Sequence, residues 1–97
     1  MRTIEIKNPY NGSIVASVET ADAAVLEQSL KNAEHYFKTV MREMPAWERA
    51  EILYKVAGLI RENVEDLALT IANEGGKPLK DARIEATRAI NTVKMSG

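Results

Sequence analysis

Glu74-Gly75-Gly76-Lys77-Pro78 is the stretch from which the fold is read. A glycine pair supplies the left-handed residue that ends a helix, and a proline pre-sets φ for the first turn of the next. The run is a helix stop joined to a helix start, the punctuation of two helices folded back on each other. Before it, Leu67, Ala68, Ile71 and Ala72 fall on one inward face of a short helix. Asn63 is its expected cap, and Glu65 and Asp66 in the first turn favour the helix dipole. After it, Leu79, Ala82, Ala86, Ala89, Ile90 and Val93 form an alanine-rich stripe on a last helix. Such a stripe permits close helix approach but buries little area per residue.

The same spacing continues upstream. Leu26, Leu30, Ala33, Phe37, Val40 and Met44 recur at three- and four-residue steps, which predicts a first helix of about five turns capped by Thr20. Met44-Pro45 breaks it, and Pro45 suits the entry to a second helix. On that second helix Ala50, Leu53, Ala57, Ile60 and Val64 form one apolar stripe, with Ile52, Val56 and Leu59 forming another beside it. Together they cover roughly half the circumference, more than a surface helix needs. Contact from two sides is the expectation. Trp47, the only tryptophan, is expected to wedge between helices.

Nearer the N-terminus the period changes to two. Ile4 and Ile6 share a face, as do Ile14, Ala16 and Val18, and Asn8-Pro9-Tyr10-Asn11-Gly12 between them is dense in turn residues. This predicts a β-hairpin over residues 1–19, which is marginal alone and must pack on something. The fold class is α-rich α+β, a hairpin followed by about four helices over residues 20–97.

Composition restricts function further. Lys+Arg 13 against Asp+Glu 14 gives a formal charge of -1, which offers no electrostatic footprint for nucleic acid or an anionic membrane. No cysteine is present, so this chain has neither a thiolate metal site nor a cysteine nucleophile. No signal-peptide or membrane-spanning pattern occurs, and a soluble, cytoplasmic protein is the expectation. The single histidine, His35, lacks a nucleophile partner at a meaningful spacing and reads as a surface residue. Glu43, Glu48 and Glu51 interleave with Arg42, Arg49 and Lys55, as a solvated charged face would. The same account covers Glu85 with Arg88, and Arg61 with Glu65. Gly75-Gly76-Lys77 resembles the tail of a phosphate loop, but the lysine precedes Pro78 and the glycines follow a helix rather than a strand.

Asn8-Pro9-Tyr10-Asn11-Gly12, Thr20, Arg49 to Leu53, Glu74 to Pro78 and Glu85-Ala86-Thr87-Arg88 stand in the order found at the start of NAD(P)-dependent aldehyde dehydrogenases. The chain resembles the N-terminal segment of that superfamily over essentially all of its length, with Gly75 in place of the usual Thr or Ser. The resemblance implies an outer helical layer of the cofactor-binding domain, α/β in the full-length parent, over residues 1–97. It implies NAD or NADP as cofactor in that parent and none for this chain alone. The implied partner is the rest of the aldehyde dehydrogenase chain, with self-association through exposed apolar helix faces as a further expectation. It implies oxidation of an aldehyde to a carboxylic acid by a cysteine, a glutamate base and an asparagine that all fall outside these residues. No catalytic, cofactor-binding or metal residue is therefore assigned. Ala82, Arg83 and Ala86 on the last helix are the positions expected to face the substrate entrance. The alternative expectation is a standalone helical interaction module.

Overall fold

Asn8 organises the first reversal of the chain in the computed structural model, which describes residues 2–97. Its N–H donates to the Ser13 carbonyl and its own carbonyl accepts from Gly12, both at 2.8 Å. Its side-chain oxygen accepts the Tyr10 N–H at 2.8 Å. Gly12 takes the positive φ, 72°, that the loop requires. These bonds join β1 (Thr3–Lys7) to β2 (Ile14–Glu19) as an antiparallel pair. Ile4 lies opposite Val18 and Ile6 opposite Ala16; an irregularity then sets Lys7 opposite Ile14. One extra residue on β2, Val15, moves Ile14 onto the face of Lys7. Strict alternation would place Ile14 with Ala16 and Val18.

Thr20 closes the open end of the hairpin and does not cap a helix. Its N–H and its hydroxyl both donate to the Arg2 carbonyl, at 2.6 Å and 2.9 Å. The cap of α1 (Ala23–Tyr36) is Asp22, whose carboxylate accepts the Val25 N–H at 2.9 Å. The apolar spacing predicts one helix through Met44. Instead α1 ends at Tyr36 and a single π-turn follows over Phe37–Met41. Arg42 N–H reaches back five residues to the Phe37 carbonyl at 2.9 Å, and the Thr39 hydroxyl donates to the His35 carbonyl at 2.8 Å. Threonine bonding back into its own helix bends it, and Pro45 forbids further propagation.

Pro45 occupies the cap position of α2 (Ala46–Glu62), and Asn63 separates α2 from α3 (Val64–Gly75). Asn63 acts backward, not forward. Its side-chain amide donates to the Leu59 carbonyl at 2.7 Å, closing α2, and it makes no capping bond to α3. Gly76 then ends α3 in the left-handed region at φ 69°, with its N–H on the Ala72 carbonyl at 3.0 Å. Pro78 admits α4 (Leu79–Ser96).

Helix α4 is the centre of the fold. Ala68 of α3 meets Ala82 and Ala86 of α4 in a buried seam flanked by Val64, Ile71, Ala72 and Leu79. On the other side α4 lies along α2, where Ala57 is buried, and Ile90 completes the set of buried residues. Gly97, just past α4, reaches Tyr54 and Leu53 near the start of α2, so the two helices run antiparallel. A buried methyl contributes only about 0.8 kcal/mol, so the seam supplies proximity more than energy. The first stripe of α2 is accordingly half-buried at Ala50, Leu53 and Ile60, while Ile52, Val56 and Leu59 stay exposed. Within this chain, α2 is contacted from one side, not two. Trp47 is 62% exposed and wedges between nothing. Every residue of α1 is exposed.

The result is a slab of 48 × 35 × 15 Å with a radius of gyration of 17.3 Å. A compact domain of this length has a radius near ~12.5 Å. Its accessible surface is 7595 Å², whereas a compact monomer of this mass exposes about 5,500 Å².

Gly76 also fixes where the hairpin sits. A Cβ on Gly76 would stand 2.7 Å from Cγ of Pro9, so the turn between α3 and α4 receives the hairpin loop at its one side-chain-free residue. Gly76→Ala is expected to cost about 1–3 kcal/mol, from the positive φ and the clash together. In a Pro9→Ala background the clash is relieved and the strain remains, so the cost should shrink without vanishing. Urea unfolding of the four chains of that cycle measures both parts.

Candidate functional site

The groups that carry chemistry in other proteins are dispersed and solvated here. His35 is exposed on α1, with its ring edge-on to Tyr36 at 5.2 Å between centroids. Among the described residues no three His, Cys, Asp or Glu side chains gather where they could hold a metal ion. No polar side chain among them is buried. Glu43 and Glu51 are exposed and Glu48 is half-buried. Glu51 and Lys55 do not form an ion pair; among the described residues the only such pair on α1 or α2 joins Lys38, just past α1, to Glu34 at 2.8 Å.

The ordered charges instead bridge the α3–α4 turn. Arg83 of α4 holds Glu65 of α3 through a bidentate fork, with Nε at 3.0 Å and 3.2 Å from the two carboxylate oxygens and a terminal nitrogen at 2.6 Å. Lys77 in the turn pairs with Glu85 of α4. Local spacing points to Arg61 for Glu65 and to Arg88 for Glu85. The structure selects partners across the turn because α4 is folded back on α3. The Lys77 ammonium thus rests on a carboxylate of the following helix, not on the carbonyls of the preceding one. The hydrogen bonds from Arg83, aided by its charge and opposed by partial desolvation, hold the Glu65 carboxyl below its ordinary value, and the same bonds raise Arg83 above its own.

Ala82, Arg83 and Ala86 do not share one outward face. Ala82 is 0% exposed and Ala86 2%, both turned into the seam with Ala68, while Arg83 is exposed on the flank of α4. An alanine sealed against α3 has no surface to present to an entrance. Of the three, Arg83 alone is accessible, and Arg83, Ile84, Thr87, Arg88 and Asn91 line a shallow hollow along α4. A second hollow lies between the hairpin loop and the helix turn, lined by Asn8, Tyr10, Ala72, Asn73, Gly76, Lys77 and Pro78. It marks a contact that no sequence signal announces. Pro9 and Gly76 lie far apart in the chain, and no spacing rule joins them.

The other feature of the surface is apolar. Leu26 and Leu30 on α1 and Phe37 in the π-turn are each 58% exposed, and Ile52, Val56 and Leu59 form the open stripe of α2. No helix among the described residues is long and apolar enough to cross a membrane.

The sequence matches the model of the aldehyde dehydrogenase family over residues 1–97. It is 33% identical to lactaldehyde dehydrogenase of Methanocaldococcus jannaschii over 93 residues, which cover 96% of this chain and 20% of that protein. It is 37% identical to malonate-semialdehyde dehydrogenase 1 of Bacillus licheniformis, over 95% of this chain and 19% of the relative. The fold is similar to the crystal structure of glyceraldehyde-3-phosphate dehydrogenase GapN from Methanocaldococcus jannaschii complexed with NADP. That likeness has a TM-score of 0.88 at 34% identity, over 95% of this chain and 20% of the other. The chain thus spans about a fifth of the length of the curated relatives it matches.

The fork between Arg83 and Glu65 has a pH signature. Because the folded-state carboxyl of Glu65 titrates below its ordinary 4.5, its contribution to stability is complete above that value. It is lost as pH falls through the lower, folded-state value. Carbon-detected NMR titration should place the Glu65 midpoint below that of an unpaired glutamate, and Arg83→Ala should return it to the ordinary range. An unchanged midpoint in that variant would remove the fork as the cause.

Proposed function

The chain belongs to the aldehyde dehydrogenase family, and we propose that it works as the N-terminal helical layer of the cofactor-binding domain of an NAD(P)-dependent aldehyde dehydrogenase. Residues 1–97 form that layer, and the parent oxidises an aldehyde to a carboxylic acid in the cytoplasm. What supports this reading is one combination. Nearly the whole chain superimposes on a fifth of a solved aldehyde dehydrogenase, yet two of its apolar helix faces have nothing on them. A layer made to be covered has that appearance. The thin slab argues against a standalone interaction module, which would have to close its own core.

The contribution of these residues is structural. Gly75 is the last residue of α3 and Gly76 its cap, whereas a phosphate loop follows a strand, so these glycines lack the arrangement that cradles the phosphates of a dinucleotide. With no cysteine in the sequence, the chain supplies no thiolate either. Arg83, exposed on α4 and oriented by Glu65, is the residue we assign to the rim of the substrate entrance. The remainder of the parent chain is the partner of the open stripes of α1 and α2, which otherwise leave the 97 residues prone to self-association.

The purified 97-residue chain is expected to produce no NAD(P)H from lactaldehyde, malonate semialdehyde or glyceraldehyde 3-phosphate. It should likewise bind NADP or ATP only non-specifically. Absorbance at the reduced-nicotinamide band and equilibrium dialysis test the two statements. Aldehyde-dependent turnover, or tight nucleotide binding abolished by Lys77→Ala, would overturn the structural role. The coding DNA beyond the Gly97 codon tests the parent directly. An open frame continuing to a cysteine nucleophile is expected, and an immediate native stop would favour the module.

A further inference from the structure

We propose that Asn11 is a site of spontaneous deamidation, held in check by the closed hairpin loop and released when that loop leaves its seat on Gly76. The step uses only atoms of the loop, so it depends neither on the activity proposed above nor on what covers the open helix faces.

The chemistry needs an asparagine followed by an unhindered backbone nitrogen. Hydroxide takes the Gly12 amide proton, the nitrogen attacks the Asn11 side-chain carbon, and the carbonyl electron pair moves onto Oδ1. As that pair returns, the bond to Nδ2 breaks and ammonia leaves with a proton from water. Water then opens the five-membered imide at either carbonyl, leaving aspartate or isoaspartate at position 11. Glycine is the least hindered residue to supply that nitrogen, and of the asparagines in the sequence Asn11 alone precedes one. Asn8 precedes Pro9, which has no N–H to lose, while Asn32, Asn63, Asn73 and Asn91 precede residues with side chains. Asn11, Gly12 and Ser13 are all exposed, so water reaches the imide.

In the closed loop both reacting groups are tied. The Gly12 N–H donates to the Asn8 carbonyl at 2.8 Å, so the proton that must leave is held and the nitrogen is turned toward Asn8. The Asn11 Oδ1 accepts the Ser13 N–H at 3.0 Å and the Ser13 hydroxyl at 2.7 Å, which fixes the side chain in place. Those bonds must open before the imide can close. In water each is worth roughly a two- to tenfold change in the open population. An isolated hairpin is marginal, so the seat decides how long the loop stays shut. That seat is Gly76, where the Pro9 ring fills the space a Cβ would take. Conversion to isoaspartate adds a methylene to the main chain between Asn8 and Ser13, and the loop cannot then re-form the bonds that closed it. The change runs one way.

The chain is incubated in mildly alkaline buffer, digested, and mapped by mass spectrometry for conversion of amide to acid, with enzymatic methylation reporting isoaspartate. Asn11 is expected to convert roughly tenfold more slowly in buffer than in guanidinium, because two sets of bonds hold it. Gly76→Ala, which pushes on the Pro9 ring, should speed conversion in buffer by roughly two- to tenfold. Ser13→Ala should also speed it, since one tie on Oδ1 is lost. Ala89→Gly loses a comparable amount of stability through helix propensity alone and touches neither loop nor seat, so it should keep the wild-type rate. Equal rates in buffer and in guanidinium would overturn the proposal. So would a wild-type rate in Gly76→Ala, or an acceleration by Ala89→Gly that matches it.

Discussion

Gly76 is the constraint on which the arrangement of the other elements rests. Its left-handed backbone is what lets α4 return along α3 instead of continuing away from it. That return creates the Ala68–Ala82–Ala86 seam and brings Glu65 within reach of Arg83. The same residue leaves the space that the Pro9 ring fills, so the hairpin is positioned by the helix turn. One residue without a side chain thus satisfies a dihedral requirement and a packing requirement together. Few substitutions could meet both.

The seam explains the chain's economy of large side chains. Two helices approach closely only where small residues face each other, and here the buried set is alanine with a single isoleucine. Close approach shortens the reach needed for the Arg83 fork, which crosses from helix to helix with good geometry despite being solvated. The exposed pair adds little stability in water. Its use is orientation: it holds the guanidinium of α4 against the Glu65 carboxylate of α3.

Periodicity makes the element types legible, and the hairpin and four helices follow from it. Gly76 is legible too, because a glycine pair between an apolar helical stripe and Lys-Pro fits a helix stop and little else. What escapes the sequence is competition among local hydrogen bonds. Thr20 and Asp22 are both good caps, and pairing with Arg2 engages Thr20 first. Asn63 has the Leu59 carbonyl behind it, and its side-chain amide donates there instead of capping α3. The π-turn is silent in a hydrophobic pattern that runs through it without a break. Ion pairs mislead for a different reason. Helical spacing ranks neighbours on one helix, while Glu65 and Glu85 pair across a turn whose geometry only the fold supplies. At the candidate site, spacing groups Ala82, Arg83 and Ala86 on one helix, and burial separates them.

The open stripes are the clearest failure of self-containment. A helix with apolar residues over half its circumference requires two neighbours, and α2 has one within the chain. An isolated amphipathic helix gains most of its stability from tertiary packing, and α1 has none here. A domain evolved to stand alone would carry polar residues at Leu26, Leu30, Ile52 and Leu59, since each exposed aliphatic side chain there forgoes burial and invites association. The physical cause is that the slab has more apolar surface than its thickness can enclose.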